Sequence, residues 1–262
     1  MKFDGDYHTH SKHSDGRQDE EEILEAARQR GLKEVAITDH GPLAAVIGVK
    51  KADEYTAIRT KISNLNELIS EPRVLLGAEA NIRDLNGTLD IPGAIIDQLD
   101  ILIAGLHPFT LPTSIKDGYK IFVQNSLRYW GKGQQQKAIN ANTKACVEAV
   151  YNNPRLDILA HPGLFFTIDV REVAAACLKK EVLFEINCAH EHPDISDIME
   201  ADKVGVQFII NSDAHYKETV GNLDYGSRVV DKLKIDHNKV VNRSSGGGYK
   251  KWGKSAKAYE YL

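Results

Sequence analysis

The sequence is organised around its opening stretch, Asp6-Tyr7-His8-Thr9-His10-Ser11-Lys12-His13-Ser14-Asp15-Gly16. His8 and His10 are two residues apart, so on a β-strand both imidazoles point to the same face. Asp15 follows in a Ser-Asp-Gly turn, which bends the chain back towards them. Two imidazoles and a carboxylate this close together predict a metal site with nitrogen and oxygen ligands. The alternative is a surface strand rich in histidine.

Short apolar runs that each end in a polar side chain recur along the rest of the chain. Segments with helical spacing of apolar residues separate these runs. The polar groups that follow the runs are His40, Glu79, His107, His161, and the pair Asp213 and His215. Strand, ligand-type residue and helix, repeated about seven times, predict an α/β protein with a (β/α) barrel. Because the carboxyl ends of barrel strands meet at one mouth, the histidines there would converge on one site.

Local signals predict the connecting elements. Helices are expected over 19–31, 52–69, 135–151, 170–180, 195–204 and 226–233, and a short strand at 240–241. The Asn86-Gly87 pair predicts a β-hairpin. Residues 109–133 predict an irregular loop, with one short helix, that overhangs the mouth. Its aromatic side chains could line a leaving group, or they could equally belong to the core. The Gly-rich, basic residues 244–262 predict a mobile tail on a single domain spanning 1–262.

Bulk properties exclude several classes of protein. The net charge is −4 and the isoelectric point is near 6.2, so a general nucleic-acid or membrane-surface partner is not expected. Three widely spaced cysteines give neither a disulfide framework nor a zinc knuckle. No apolar signal segment or long transmembrane run is present in the sequence. We therefore expect a cytoplasmic protein that does not bind membranes.

Seven motifs together closely resemble the PHP family, which is named after polymerase and histidinol phosphatase. They are His8-Thr9-His10, Ser14-Asp15-Gly16, Thr38-Asp39-His40, Gly77-Ala78-Glu79-Ala80-Asn81, Leu106-His107, Ala160-His161-Pro162-Gly163 and Asn211-Ser212-Asp213-Ala214-His215. The resemblance runs from residue 6 to about 230, and the hairpin after Glu79 is most similar to the stand-alone bacterial phosphoesterase branch. It implies a distorted seven-stranded (β/α) TIM-like barrel with up to three divalent metal ions at the C-terminal ends of the strands.

Matching positions to the family motifs implies nine metal ligands. One ion would be held by His8, His10, Glu79 and Asp213, a second by Glu79, His107 and His161, and a third by Asp15, His40 and His215. Glu79 would therefore bridge two ions. Asp39 joins Glu79 and Asp213 in the implied catalytic set, where it is expected to orient a neighbouring ligand.

Candidate substrate contacts lie beside the first turn. Lys12 and Arg17 could contact a phosphate, although a solvated surface role is equally compatible with each. His13 is expected at the rim of the site rather than among the ligands. His190 and His192 fall outside the family pattern, and we interpret them as loop residues.

The charge balance indicates the chemistry. Three divalent ions, three carboxylates and a bridging hydroxide sum to about +2, which would attract a phosphate dianion. Two or three ions would make hydroxide available near neutral pH, and mixed nitrogen and oxygen ligation suits Zn, Mn or Fe. We therefore predict a phosphoesterase that hydrolyses small phosphomonoesters, of histidinol-phosphatase type, by attack of metal-bound hydroxide.

Two alternatives remain at this point. One is a 3′–5′ exonuclease or phosphodiesterase, against which the acidic balance argues because nucleic-acid binding needs a basic surface. The other is a metal-bound binding module without turnover, which is disfavoured because all nine ligand positions are filled. The expected partner is a small phosphorylated metabolite. The sequence does not determine the oligomeric partner or the natural substrate.

Overall fold

A seven-stranded parallel sheet forms the centre of the protein, and its strands follow one another in chain order. The computed structural model describes residues 1–259. The strands are β1 Gly5–Asp6, β2 Glu34–Ile37, β3 Arg73–Asn81, β4 Ile101–Gly105, β5 Ile158–Leu159, β6 Leu183–Asn187 and β7 Phe208–Asn211. A parallel bridge between Thr9 and Ala214 joins the two edges just beyond β1 and β7. The sheet is therefore a nearly closed barrel, and the predicted fold class is confirmed.

Helices connect the strands and cover the outside of the barrel. They are α1 Glu20–Gln29, α2 Glu54–Leu68, α3 Gly93–Ile96, α4 Ile115–Gly118, α5 Gln124–Ser126, α6 Lys132–Asn152, α7 Val170–Lys180, α8 Ile195–Val204, α9 Asp224–Leu233, α10 Tyr249–Trp252 and α11 Lys254–Tyr259. The α1 helix begins as predicted: the Asp19 carboxylate accepts the Glu22 backbone N–H at 3.0 Å, and Glu22 accepts that of Asp19 at 3.1 Å. No described helix is long and apolar enough to cross a membrane.

The irregular segment after β4 contains more helix than predicted. Between α4 and α6 the chain winds through a π-helix at Tyr119–Val123 and a 3₁₀ helix at Leu127–Trp130. The predicted hairpin is present, because Ile82 pairs with Leu89 and Gly87 takes a positive φ of 72° at the turn. The predicted strand at 240–241 is reduced to a bridge from Val240 to Phe208.

The tail predicted to be mobile packs against the bottom of the barrel. Tyr249 and Trp252 are 3% and 9% exposed, and the Trp252 ring meets the Tyr7 ring edge-on with centroids 4.8 Å apart. They complete a cluster inside the barrel that includes Leu75 and Ile103. Tyr249 and Trp252 thus provide an apolar cover for the inward side chain of Tyr7, and the mobility expected of the tail stays a prediction. Residues 260–262 of the predicted tail lie outside the described residues.

Candidate metal centre

The nine predicted ligands meet at the C-terminal mouth of the barrel, with the Glu79 carboxylate at their centre. Its Oε2 atom lies 3.3 Å from His8 Nε2, 3.6 Å from His10 Nε2 and 3.0 Å from His40 Nδ1. Its Oε1 atom lies 3.2 Å from His107 Nε2 and 2.9 Å from His161 Nε2. Each oxygen of Glu79 thus faces a different group of imidazoles, which is the arrangement expected of a carboxylate shared between two ions.

The two aspartates close the other sides of the cluster. Asp213 Oδ1 lies 3.1 Å from His10 Nε2 and 3.5 Å from His8 Nε2. Asp15 Oδ2 lies 3.3 Å from His215 Nε2 and 3.8 Å from His40 Nε2. The structure therefore brings together every residue that the sequence assigned to metal binding.

The site has two parts that differ in burial. We call the more deeply buried ligands at the mouth the deep half. They are His8, His10, Glu79, His107, His161 and Asp213. The remaining ligands, Asp15, His40 and His215, form the shallow half. The side chains of Asp15 and His215 are 25% and 29% exposed, whereas that of His40 is largely covered.

Unpaired buried atoms show that the residues fit divalent ions. His8 Nε2, both ring nitrogens of His10, His40 Nδ1 and Glu79 Oε2 are buried and make no hydrogen bond. Buried polar atoms are almost always paired, so such a concentration of unpaired nitrogen and oxygen atoms needs a partner. Four overlapping groups of these ligands have their donor atoms within 4.8 Å of one another. Imidazole and carboxylate donors in this arrangement suit transition-metal ions.

A buried glutamate that the sequence reasoning missed holds the deep half in place. Glu185 Oε1 lies 2.8 Å from His8 Nδ1, and Oε2 accepts the backbone N–H of His161 at 2.7 Å. The amides of Asn187 and Asn211 donate to the same carboxylate. Because Glu185 accepts the proton on His8 Nδ1, it leaves His8 Nε2 free to bind an ion. The sequence feature that could have revealed this role is a carboxylate within the apolar run of β6.

Asn81 plays the corresponding role for His107. Its Oδ1 atom accepts a hydrogen bond from His107 Nδ1 at 2.7 Å, while its amide donates to Asp90 at 2.7 Å. This bond sets the tautomer of His107 and turns its Nε2 atom towards Glu79. Asn81 lies within a family motif, but the motif alone does not reveal which ring it contacts.

Electrostatics keep the Glu79 and Asp15 carboxylates ionised and the His107 imidazole neutral. Burial alone would raise the pKa of Glu79, but His40, His8 and His107 hold it well below its usual range. Burial also opposes ionisation of Asp15, yet the hydrogen bond from His215 lowers the pKa of Asp15 to about 2. Burial lowers the pKa of His107 to about 4, so its imidazole is neutral at pH 7 and available as a ligand.

Backbone geometry adds to the constraint on the ligands. His161 and Asp213 have positive φ values of 28° and 54°, which residues with a side chain seldom adopt. Such conformations persist where surrounding contacts over-determine them, and they cluster at functional sites. Gly105 leaves room for the rings, since a Cβ there would lie 2.6 Å from His107 Cε1 and 2.9 Å from His161 Cε1.

The predicted substrate contacts do not face this site. Lys12 Nζ pairs with Asp19 and Glu22 at the start of α1. His13 lies between Glu20 and Glu54, 3.1 Å and 3.4 Å away. Arg17 is exposed, and none of the three lines the cavity over the described residues. The turn at residues 11–16 points these side chains outward. The sequence shows that they lie close to the metal ligands along the chain, but not that they face away from the cavity.

Asp39 supports the turn rather than a histidine. Its carboxylate accepts the Ser11 backbone N–H at 2.7 Å, the Ser11 hydroxyl at 2.7 Å and the Ser14 hydroxyl at 2.5 Å. Asp15 follows directly after Ser14. Asp39 thus supports the turn that carries Asp15, and its part in orienting a ligand stays a prediction.

A cavity of about 400 Å³ opens above the cluster. Among its walls is His190, whose Nε2 lies 3.5 Å from Asp213 Oδ2, whereas His192 Nε2 donates to the Pro162 carbonyl at 2.9 Å. No residue of 109–133 lines this cavity in the described part of the chain. Most aromatic side chains of that segment are instead exposed, and Phe122 packs against Phe166 with ring centroids 6.1 Å apart, so the predicted overhang is wrong.

A search against known families now identifies the chain. The model of the PHP domain matches residues 6–239, which covers every ligand and every strand except the start of β1. The chain belongs to the PHP domain family. This match confirms the resemblance on which the ligand assignment rested.

Similar PHP proteins support the same conclusion. A probable phosphatase of Clostridium acetobutylicum is 30% identical, over 84% of this chain and 82% of that protein. A probable phosphatase of Thermoanaerobacter sp. is 30% identical, over 94% of this chain and 93% of that protein. The predicted class of enzyme, a hydrolase acting on phosphoric ester bonds, is confirmed within this metal-dependent family.

A solved structure supports the fold. Histidinol phosphate phosphatase from Lactococcus lactis, crystallised with zinc, L-histidinol and phosphate, superimposes with a TM-score of 0.62 and 16% identity. The match covers 90% of this chain and 95% of that protein. At this level of identity the likeness confirms the barrel but leaves the substrate of the PHP domain described here open.

Proposed function

We propose that the protein hydrolyses small phosphomonoesters at a cluster of two or three divalent metal ions, by the type of reaction that histidinol phosphatases carry out. The observation that carries this proposal is the Glu79 carboxylate, buried between two groups of imidazoles, of which the group facing Oε2 has nitrogens without hydrogen-bond partners. Zn, Mn or Fe suits this mixture of ligands.

The motifs imply how the ligands would divide among the ions: the deep half would hold two and the shallow half the third. The candidate groups of donor atoms also overlap between the halves, through His10 and His40. When bound, the ions would lower the pKa of water and neutralise charge on the phosphate oxygens. Glu185 and Asn81 contribute by fixing the tautomers of His8 and His107, so each ring offers its Nε2 atom.

The walls of the cavity favour a compact monoester over a nucleic acid. No lysine or arginine lines the cavity among the described residues, so phosphate binding depends on the metal cluster. Nucleic-acid binding, in contrast, depends on several basic contacts to successive phosphates. A volume of about 400 Å³ accommodates a small metabolite. We therefore favour a small phosphorylated metabolite as the substrate.

A substrate comparison tests this proposal. Purified protein loaded with zinc, manganese or iron would be assayed with phosphomonoesters, including histidinol phosphate, and with single-stranded oligonucleotides under the same conditions. We expect higher kcat/KM for the best monoester than for release of nucleotides from the 3′ end. A higher value for the oligonucleotide would replace the proposal with an exonuclease. Absence of turnover with every substrate, despite full metal content, would indicate a binding module.

A further inference from the structure

Among the described residues, the side chains that line the cavity include no lysine, no arginine and no uncommitted carboxylate that could pair with a charged leaving group. The three carboxylates of the cavity, Asp15, Glu79 and Asp213, all belong to the metal ligands. No lysine or arginine lines the cavity over the described residues. A leaving group with an ammonium would therefore find no uncommitted carboxylate, and one with a second anionic group would find no lysine or arginine.

An aromatic side chain forms the wall beside the second ion site. The ring of Phe165 lies edge-on or tilted against His107, His161 and His190, with centroid distances of 5.7, 5.7 and 6.3 Å. These contacts fix the orientation of the ring while leaving the side chain 38% exposed at the cavity. Phe165 is thus a partly exposed aromatic surface directly beside the ligands.

Two further walls are apolar or uncharged. Ile47 and Tyr216 line the same cavity from the loops after β2 and β7, and Thr219 and Asn222 add neutral polar groups. Aromatic faces favour planar partners, which stack offset or edge-on, over saturated groups of equal size. A neutral hydroxyl or ring nitrogen on the leaving group could pair with Asn222 or Thr219 without leaving a charge buried.

We propose that the substrate is a phosphomonoester whose leaving alcohol is neutral and carries a planar aromatic or heteroaromatic ring, with Phe165 as the residue that selects the ring. This inference rests on the proposed function and narrows it. Phe165 acts on the leaving group, while the metal ligands act on the phosphate. Specificity and basic turnover are therefore separable by substitution.

Three esters with leaving groups of similar acidity test the proposal on the metal-loaded protein. Benzyl phosphate carries a neutral ring, cyclohexylmethyl phosphate a saturated ring, and 4-(aminomethyl)benzyl phosphate a ring with a cation. We expect kcat/KM for benzyl phosphate to exceed that for the saturated ester by about two- to tenfold, as aromatic contacts contribute. The cationic ester should fall about tenfold or more below benzyl phosphate, since its charge has no partner.

Variants of Phe165 assign the preference. Phe165→Leu should reduce the ratio of benzyl to cyclohexylmethyl ester to near one, mainly through KM, while Phe165→Tyr should keep it. Phe109→Leu is the matched control, because Phe109 is exposed on the neighbouring segment and does not line the cavity. Thermal melts and metal content, measured for each variant, separate loss of specificity from loss of fold.

Binding of the product alcohol gives a readout that does not depend on turnover. In titration calorimetry with the metal-loaded protein, benzyl alcohol should bind more tightly than cyclohexylmethanol, and Phe165→Leu should remove that difference. Equal kcat/KM for the neutral esters in the wild-type protein, or faster hydrolysis of the cationic ester, would overturn this inference and leave the phosphomonoesterase intact. No turnover of any ester by metal-loaded protein would overturn the proposed function and this inference with it.

Discussion

The deep and shallow halves of the site contain the same types of ligand, but they differ in the exposure of those ligands and in the hydrogen bonds that support them. In the deep half, His8 and His107 are each fixed by a hydrogen bond from the ring nitrogen that faces away from Glu79. In the shallow half, His215 Nδ1 is 3.0 Å from the Asp213 backbone carbonyl, and Asp15 is partly open to solvent.

From this difference we expect metal affinity to depend on how the ligands are held as well as on which residues they are. Buried ligands with fixed tautomers lose little freedom when an ion binds, whereas exposed ligands must be ordered and compete with water. We therefore expect the ions of the deep half to bind more tightly and to carry the chemistry, and the ion of the shallow half to exchange more readily.

The largest effect is expected from Glu79→Gln. One carboxylate faces imidazoles on both sides, so its loss should disturb both ions of the deep half. We expect kcat/KM to fall on the order of a thousandfold, because bound metal contributes several kcal/mol to the barrier. Steady-state kinetics and elemental analysis of the same sample measure the effect. Wild-type metal content with near-normal turnover would show that Glu79 is not shared.

Glu185→Gln should weaken the deep half without removing a ligand. The amide cannot accept hydrogen bonds through both of its terminal atoms, so the support of His8 or of the His161 backbone is lost. Loss of such a supporting group typically costs about 10–100-fold in metal affinity or activity. Competition with a chelator measures the affinity. Glu67→Gln, on the exposed face of α2, is the matched control and should behave as the wild type.

Asp15→Asn should affect the shallow half alone. The pKa of Asp15 is lowered to about 2 by His215 despite the opposing effect of burial, so the wild-type side chain is a carboxylate at any working pH. We expect the loss of about one ion per chain and roughly a tenfold loss of activity, near the lower limit for groups that tune a metal site. If Asp15→Asn instead empties the deep half, the two halves are not separate units.

His13→Ala should give the smallest effect and should spare both halves. His13 interacts with Glu20 and Glu54 instead of the cluster, so full metal content and near-normal kcat are expected. The hydrogen bond that His13 donates to the Glu20 carboxylate raises the pKa of His13 despite partial burial, so the stabilisation is complete at pH 5 and is lost as the pH rises through the folded-state pKa. Denaturant unfolding should show a difference of about 1 kcal/mol at pH 5 that shrinks at pH 8. Loss of an ion from His13→Ala would contradict this placement.

The sequence predicted the barrel, and that polar side chains converge at its mouth, because both follow from local rules, whereas the assignment of nine metal ligands came from the resemblance to the family. Apolar runs mark the parallel strands, and the carboxyl ends of those strands meet at one mouth. It did not predict the roles of Glu185 or Asn81, because these depend on which ring nitrogen each side chain reaches. That information exists only after the strands are placed side by side.

Two expectations, for residues 109–133 and for the C-terminal tail, rested on the composition of a segment alone. Residues 109–133 were expected to overhang the mouth, but the cavity takes its aromatic wall from Phe165, in the loop after β5. The tail was expected to be mobile from its glycine and lysine content, yet Tyr249 and Trp252 cover the barrel floor. The composition of a segment does not show which apolar surface elsewhere in the fold that segment will cover.

Anomalous diffraction from crystals of the metal-loaded protein, recorded before and after a brief soak in chelator, tests the account most directly. We expect one ion on each side of Glu79 and a third beside Asp15 and His215, with the third losing occupancy first. An ion site that does not involve Glu79, or a shallow ion that outlasts the deep pair, would contradict the account.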